Sequence, residues 1–394
     1  MTDYKEIRHA LYEHPQTAGC EEYAHDTIVK HLQGLHPTKV YTHVGGYGVI
    51  AVWEGDGHQA IKTSRHQDDG ARGVPSALPT SLEVSKSRSL QLPTIAFRAD
   101  TDALPIGHRC GHDGHTTILL RLAELIDEKI SIFNFQFSIL LLWQPAEETG
   151  TGSRAILESG ILQQYDIKAF YALHNLPGYP LGTVVICPRT FAAASTGVVY
   201  HLDGRETHAS TPELGINPGL AVAEIIDRFD GFNGSNGQCG EFRQSTLICV
   251  RVGSPAFGTS AGHAEVMFTL RAFTNDEMEK LLAEANQAVD EIASRYGLTV
   301  SRSLVEPFRA TENHPEYVKK IKESLITHHS SFTIKETPFR WSEDFAEYLL
   351  HFPGAMFGIG SGENHPELHH PDYNFPDEII EPAARFFLQL AQNF

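Results

Sequence analysis

Three short runs in this sequence carry side chains that bind metals. Cys110-Gly111-His112-Asp113-Gly114-His115 offers a thiol and two imidazoles, Glu147-Glu148 a pair of carboxylates, and His369-His370 two further imidazoles. Thiolate, imidazole and carboxylate together are the donors that divalent first-row transition metals take. The runs lie far apart along the chain, so a site made from them is assembled by the whole fold and not by a local clip. The doubled glutamate points to a division of labour. One carboxylate binds metal, while its neighbour takes a proton from a water acidified by that metal and passes it to a leaving amine. This is the chemistry of metal-assisted amide hydrolysis.

The elements that position these residues read as alternating strands and helices. Strands are expected over 49–53, over 94–98 leading into Asp100-Thr101-Asp102, over 135–143 leading into Glu147-Glu148, and over 169–173 running into His174. Helices are expected over 4–35, from about Gly114 through Ile118, Leu119, Leu122, Leu125 and Ile126, and over 153–159 up to Gly160. This order predicts an α/β fold with a mostly parallel sheet covered by helices on both faces. In such sheets functional groups collect beyond the carboxyl ends of the strands. Asp100, Asp102, Glu147, Glu148 and His174 all stand at such ends. Cys110 and His112 precede a helix N-terminus, where the dipole favours thiolate.

After Pro188 the pattern changes. A strand over 197–202, a helix opened by Asn217-Pro218, strands over 246–252 and 264–273, a helix with a Thr274/Glu277 capping box ending at Gly297, and a strand over 298–304 follow in turn. The order β-α-β-β-α-β is that of a ferredoxin-like α+β unit. The first pattern resumes from 306. The reading is therefore a catalytic metal-binding domain over 1–188 and 306–394 with a small lid or dimerisation domain, 189–305, inserted in it, and hinges near Pro188 and Glu306. Residues 57–93, rich in Ser, Gln, Lys, Arg, Gly and Pro, are expected to form a flexible insertion.

The 394 residues carry a formal net charge of −18, which argues against nucleic acid as a partner. The five cysteines, an odd count without regular spacing, do not make a disulfide framework and fit a reducing compartment. No apolar leader follows the initial Met, and the run 139–143 is too short to span a bilayer. The expectation is a cytoplasmic protein without a membrane partner.

The runs Arg98-Ala99-Asp100-Thr101-Asp102-Ala103-Leu104-Pro105, Cys110-Gly111-His112-Asp113-Gly114-His115-Thr116 and Gln144-Pro145-Ala146-Glu147-Glu148 resemble the metallo-aminoacylase/carboxypeptidase family. Within it they resemble the amidohydrolase branch of hippurate hydrolases and auxin-conjugate hydrolases. His174-Asn175-Leu176-Pro177, His208-Ala209-Ser210-Thr211-Pro212, Ser342-Glu343-Asp344-Phe345 and His369-His370-Pro371 extend the likeness in the family's order, over nearly the whole chain. The resemblance implies two divalent metal ions (zinc, manganese, nickel or cobalt) held by Cys110, His112, Glu148, His174 and His369. It implies Glu147 as general base and acid, His208 as a donor to the oxyanion, and Asp100 as a residue that orients a ligand. Arg271 is the candidate partner of a substrate carboxylate. The implied substrates are N-acyl amino acids or small peptides, and a homodimer through the small domain is in keeping with the family.

Some positions depart from the family's pattern. The loop before Cys110 is shorter, Gly258 stands where the family has asparagine, and Tyr12 and Gln16 replace His and Glu. The shorter loop motivates a second expectation: a homologue that binds metal or ligand without turning it over.

Overall fold

Strands buried on both faces set the frame. Ser138–Gln144 reads SILLLWQ and is buried at every residue, as is Gly48–Trp53. Pro93–Asp100 is buried throughout but for its first residue. Such strands have no solvent face and so show no polar alternation. They belong to an eight-stranded sheet with the order Lys39–Val44, Gly48–Trp53, Ser138–Gln144, Pro93–Asp100, Asp166–Pro177, Gly354–Gly362, Val184–Ile186, Phe332–Ile334. The middle four strands run parallel, so their carboxyl ends share one edge. The strands next to them on either side, Gly48–Trp53 and Val184–Ile186, pair antiparallel with them.

This computed structural model describes residues 3–55, 92–133, 136–234 and 242–394. The insertion expected over 57–93 falls outside the described residues except at its end, where Pro93 opens a strand. One face of the sheet packs on the helices His112–Phe133, Pro315–Thr327 and Ile380–Gln392 through a core that includes Ile118, Leu122, Ile126, Ile321 and Phe387. The other face packs on Gly152–Glu158 and Ala346–Leu349 through Ile156, Phe170, Phe345 and Tyr348. The sheet is thus covered on both faces, as the α/β class requires.

Between the strands of this sheet the chain builds a second one, fully antiparallel, with the order Thr299–Phe308, Ala194–Asp203, His263–Ala272, Arg243–Val252. Helices Gly219–Asp230 and Asn275–Arg295 pack on one face through Ile225, Phe229, Leu281 and Val289 against Val198, Tyr200, Val266 and Phe268. The Thr274 hydroxyl accepts from Glu277 N, which starts the longer helix as its capping sequence directs.

The N-terminal helix expected over 4–35 is two helices, Tyr4–Glu13 and Glu22–Leu32. Ile7, Leu11, Ile28 and Leu32 keep helical spacing across the break, but Pro15 lacks an amide donor and restricts His14, and Gly19 turns back with φ +82°. The helix expected from about Gly114 begins at His112. Among the described residues no helix is long and apolar enough to cross a membrane.

Candidate metal centre

Three carboxyl-terminal strand ends, and the loop that follows a fourth strand, deliver the candidate metal-binding side chains to one place. Cys110 closes the loop before helix His112–Phe133, and Gly111 lies between the two ligand candidates with φ +98°. A Cβ there would stand 2.6 Å from the Asn175 side-chain oxygen, so only glycine lets Cys110 and His112 face the same space. His112 Nδ1 donates to the Asp102 carbonyl at 2.9 Å, which leaves Nε2 aimed inward. His174, on strand Asp166–Pro177, donates from Nδ1 to the Asn175 carbonyl at 2.9 Å, and its Nε2 lies 3.6 Å from Cys110 Sγ. Holding one imidazole nitrogen by a carbonyl fixes the tautomer and presents the other to a metal.

Glu147 and Glu148 leave the end of Ser138–Gln144 on a tightly held loop. The Asp102 carboxylate accepts from Glu147 N and Glu148 N, each at 3.0 Å. His369 comes from the loop after Gly354–Gly362 with φ +67°, and its amide donates to the Arg109 carbonyl at 2.8 Å. A non-glycine residue in that region is strained by about 1–3 kcal/mol and persists where neighbours hold it. Arg109 is itself fixed by the Tyr12 hydroxyl and by the Tyr373 carbonyl. The short loop before Cys110 is braced, and Cys110 and His112 are not pulled away.

The five expected ligands fall into overlapping sets whose donor atoms all lie within 4.8 Å of one another: Cys110, His112, His174; Cys110, Glu148, His369; and His112, Glu147, Glu148. Cys110 is common to two of them. His370 is directed elsewhere, to Asp372. Two buried atoms here, His112 Nε2 and Glu148 Oε1, have no hydrogen-bond partner and stand 3.8 Å apart. Buried polar atoms are normally satisfied, so a pair left facing one another marks a place for an ion. Burial, then Glu148, pushes the Cys110 thiol well above its usual range. Burial likewise lifts the Glu148 carboxyl to about 7 and depresses His174 and His369. A cation among them reverses this preference, because thiolate, carboxylate and neutral imidazole are the forms that bind it. The residues therefore fit divalent metals.

Glu147 is buried, and its Oε2 lies 3.9 Å from His112 Nε2. It also belongs to a carboxyl cluster with Glu343 and Asp344, all within 4.8 Å. Burial first, then Glu343 and Glu148, raises its affinity for a proton. Beneath the cluster the fully buried Arg98 bonds Asp100 at 2.6 Å and Asp344 and Glu343 at 2.9 Å each. Asp100 also accepts from His115 Nδ1 at 2.6 Å and lies 3.8 Å from His112 Nε2. Its short bonds thus go to Arg98 and His115, while Asp102 makes the contacts that set His112 and both glutamates. Sequence reasoning missed the part played by Asp102, although its place at a strand end beside Asp100 was the available signal. It also missed His115, although this histidine stands in the same motif as His112.

A cleft of about 640 Å³ opens above Cys110, Glu147, Glu148, His174 and His369, with Leu176, Phe308, Phe339 and Trp341 in its wall. Arg271, on the small sheet, lines its far side and donates to the Arg340 carbonyl at 2.8 Å and the Ser342 hydroxyl at 3.1 Å. His208 is not in the lining. It is exposed on the two-residue strand that pairs with Thr259–Ser260, its Nδ1 2.7 Å from Ser210 Oγ. Gly258, beside it, accepts from Ala209 N.

Residues 96–393 match the model of the peptidase family M20/M25/M40. The chain belongs to this family. It is 25% identical over 374 residues to an uncharacterized hydrolase of Staphylococcus haemolyticus, covering 86% of this chain and 96% of that one. Its fold is similar to that of the YxeP protein of Bacillus subtilis, described as a dinuclear metal binding peptidase, with TM-score 0.77, 22% identity, and 98% and 96% of the two chains covered. The aminobenzoyl-glutamate utilization protein of Klebsiella pneumoniae shares the fold at TM-score 0.69 and 18% identity, over 99% and 95% of the chains. As an M20-type chain with metal-binding side chains gathered in a cleft, it is a hydrolase.

Proposed function

We propose that this hydrolase cleaves the amide bond of N-acyl amino acids or small peptide-like conjugates, with Glu147 moving the proton. The observation that carries the reading is the placement of Glu147: buried, beside the Glu343 and Asp344 carboxyls, and 3.9 Å from one ligand candidate at the floor of the cleft. Two divalent cations held by Cys110, His112, Glu148, His174 and His369 would acidify a water and polarise the scissile carbonyl. Glu147 takes the proton of the attacking water and delivers it to the leaving nitrogen, so that the amine departs neutral. Asp102 holds the backbone of Glu147 and Glu148 still during that transfer. Arg271 offers its remaining N–H groups to the substrate carboxylate. Leu176, Phe308, Phe339 and Trp341 receive the acyl part and exclude water. His208 donates to the oxyanion once the small domain brings it to the cleft.

The second expectation, binding without turnover, rests on the short loop before Cys110. Since Cys110 lies with both of its ligand sets, that observation favours the hydrolase reading. Pairing of two copies through the small domain is part of the proposal. Edge strand Arg243–Val252 exposes Leu247, Ile248, Val250 and Val252, which supports it.

The test is metal analysis of the purified protein joined to a panel of N-acetyl and N-benzoyl amino acids, assayed with zinc, manganese, cobalt and nickel. The expected result is two metal equivalents per chain, release of the free amino acid, and loss of release on chelation. A metal-loaded protein that leaves the whole panel intact refutes the reading.

A further inference from the structure

Three successive amides precede and include the two working glutamates, and two buried carboxylates collect them. Asp102 takes the amides of Glu147 and Glu148, as described above. The third, Ala146 N, donates at 2.9 Å to Glu21 Oε1, from a segment more than a hundred residues upstream. Ala146 is the residue on which the loop turns, with φ +55°. A run of amides around a left-handed residue forms a concavity that accepts anionic oxygens. Here it is filled by side chains of the protein itself.

Glu21 is placed for this and for little else. It is 1% exposed and stands just before helix Glu22–Leu32. Oε1 also accepts from Gly19 N at 3.0 Å, which ties the carboxyl to its own turn, while Oε2 is buried without a hydrogen-bond partner. The segment carrying it is anchored to the neighbouring strand end as well, since Ala103 N donates to the Gln16 carbonyl at 2.7 Å. The loop is held from its far side by Gly152 N on the Ala146 carbonyl at 3.0 Å and Gly150 N on the Glu147 carbonyl at 2.7 Å. Glu21 supplies the fixed point on the near side.

We infer that Glu21 is a positioning residue: by accepting from Ala146 N it sets the backbone that aims Glu147 and Glu148. What matters is an acceptor oxygen at the right reach, so an amide of the same length suffices and a shorter carboxylate does not. The kinetic part of this inference rests on the hydrolase reading; the part that concerns Glu148 does not.

The experiment compares Glu21→Gln, Glu21→Asp and Glu21→Ala with the parent protein in three readouts: metal retention against a competing chelator, kcat and KM separately, and thermal unfolding. For Ala and Asp, metal retention should weaken by about 10- to 100-fold, the usual effect of removing a group that orients a ligand. Their kcat should fall by a similar factor with KM nearly unchanged, and Gln should restore both. Ala and Asp variants that keep parental metal retention and kcat, and differ only in unfolding temperature, overturn the inference. So does a Gln variant as impaired as Ala. Should the Ala variant not fold, the Asp–Gln contrast decides. Should the parent hydrolyse no N-acyl amino acid, the functional reading falls, while metal retention still tests Glu21.

Discussion

The two walls of the cleft are built to different standards. The floor, on the large sheet, is buried and cross-braced. Cys110, His112 and His174 are all buried; Arg98 bonds Gln144 and Asp344, Gln144 bonds Asp344, and the Glu147 amide bonds Asp102, which fixes the loops from below. The roof, on the small sheet, is sparse. Arg271 is half-buried against the 340–342 loop, and His208 lies outside the lining on an exposed hairpin. The difference separates two tasks. Metal binding and proton transfer need atoms placed to within about half an ångström before substrate arrives, and the braced edge of the parallel sheet holds them so. Contacts that recognise the substrate or its transition state can arrive with a moving part.

The strongest way to break this comparison is to remove chemistry from the floor without removing its structure. Glu147→Gln keeps the shape and the backbone bonds to Asp102, so metal content should stay at the parental level while kcat falls by roughly 10²- to 10⁴-fold. Parental turnover in this variant would show that the floor does not carry the proton. Arg98→Met attacks the bracing instead. It leaves Asp100, Glu343 and Asp344 buried without their common cation, and breaking such a cluster costs about 3–5 kcal/mol. Urea unfolding should register that loss in the metal-free protein. An unfolding midpoint equal to the parent's would mean that the floor is not held by this network.

The same division explains what the sequence made legible. The floor's ligands lie in short runs at strand ends, where a cysteine between glycine-spaced histidines, or a doubled glutamate after a buried strand, has few other uses. Cys110, His112, Glu148, His174 and His369 were named as ligands through the family resemblance that those runs carry, and the fold brings their donor atoms together in overlapping groups. The α/β alternation and the inserted β-α-β-β-α-β order were also readable, because burial on one or two faces leaves its period in the chain. The bracing was not readable. Arg98 meets Asp344, and Glu21 meets Ala146, across separations of 246 and 125 residues that no local pattern encodes. The break between helices Tyr4–Glu13 and Glu22–Leu32 was hidden because the apolar spacing stays in phase across it. In phase does not mean continuous, and Pro15 was the stronger signal.

On the roof, His208→Ala is the next largest expected effect. If the hairpin reaches the cleft during turnover, kcat should drop by about 10²- to 10³-fold, the usual worth of an oxyanion donor, with metal content untouched. Its exposed position predicts no change in unfolding midpoint, since among the described residues its side chain bonds Ser210 alone and the backbone pairing with Thr259 survives the substitution. A variant with parental kcat would remove His208 from the reaction and leave the floor to stabilise the oxyanion alone.

Arg271→Ala should have the smallest effect and sharpens the contrast most. Burial disfavours a bare guanidinium here and lowers its pKa, and its present bonds go to the Arg340 carbonyl and the Ser342 hydroxyl, neither of which is charged. A half-buried cation whose partners among the described residues are neutral is suited to a carboxylate that comes from outside. Losing one charge-assisted contact of about 1.5–3 kcal/mol weakens binding by roughly 10- to 100-fold. If the contact is equally strong in ground and transition states, the loss appears in KM and not in kcat. An N-acyl amino acid amide, which lacks the carboxylate, should therefore be turned over equally well by the parent and by Arg271→Ala. A fall in kcat with KM unchanged would instead place Arg271 with the reacting atoms and erase the distinction between the two walls.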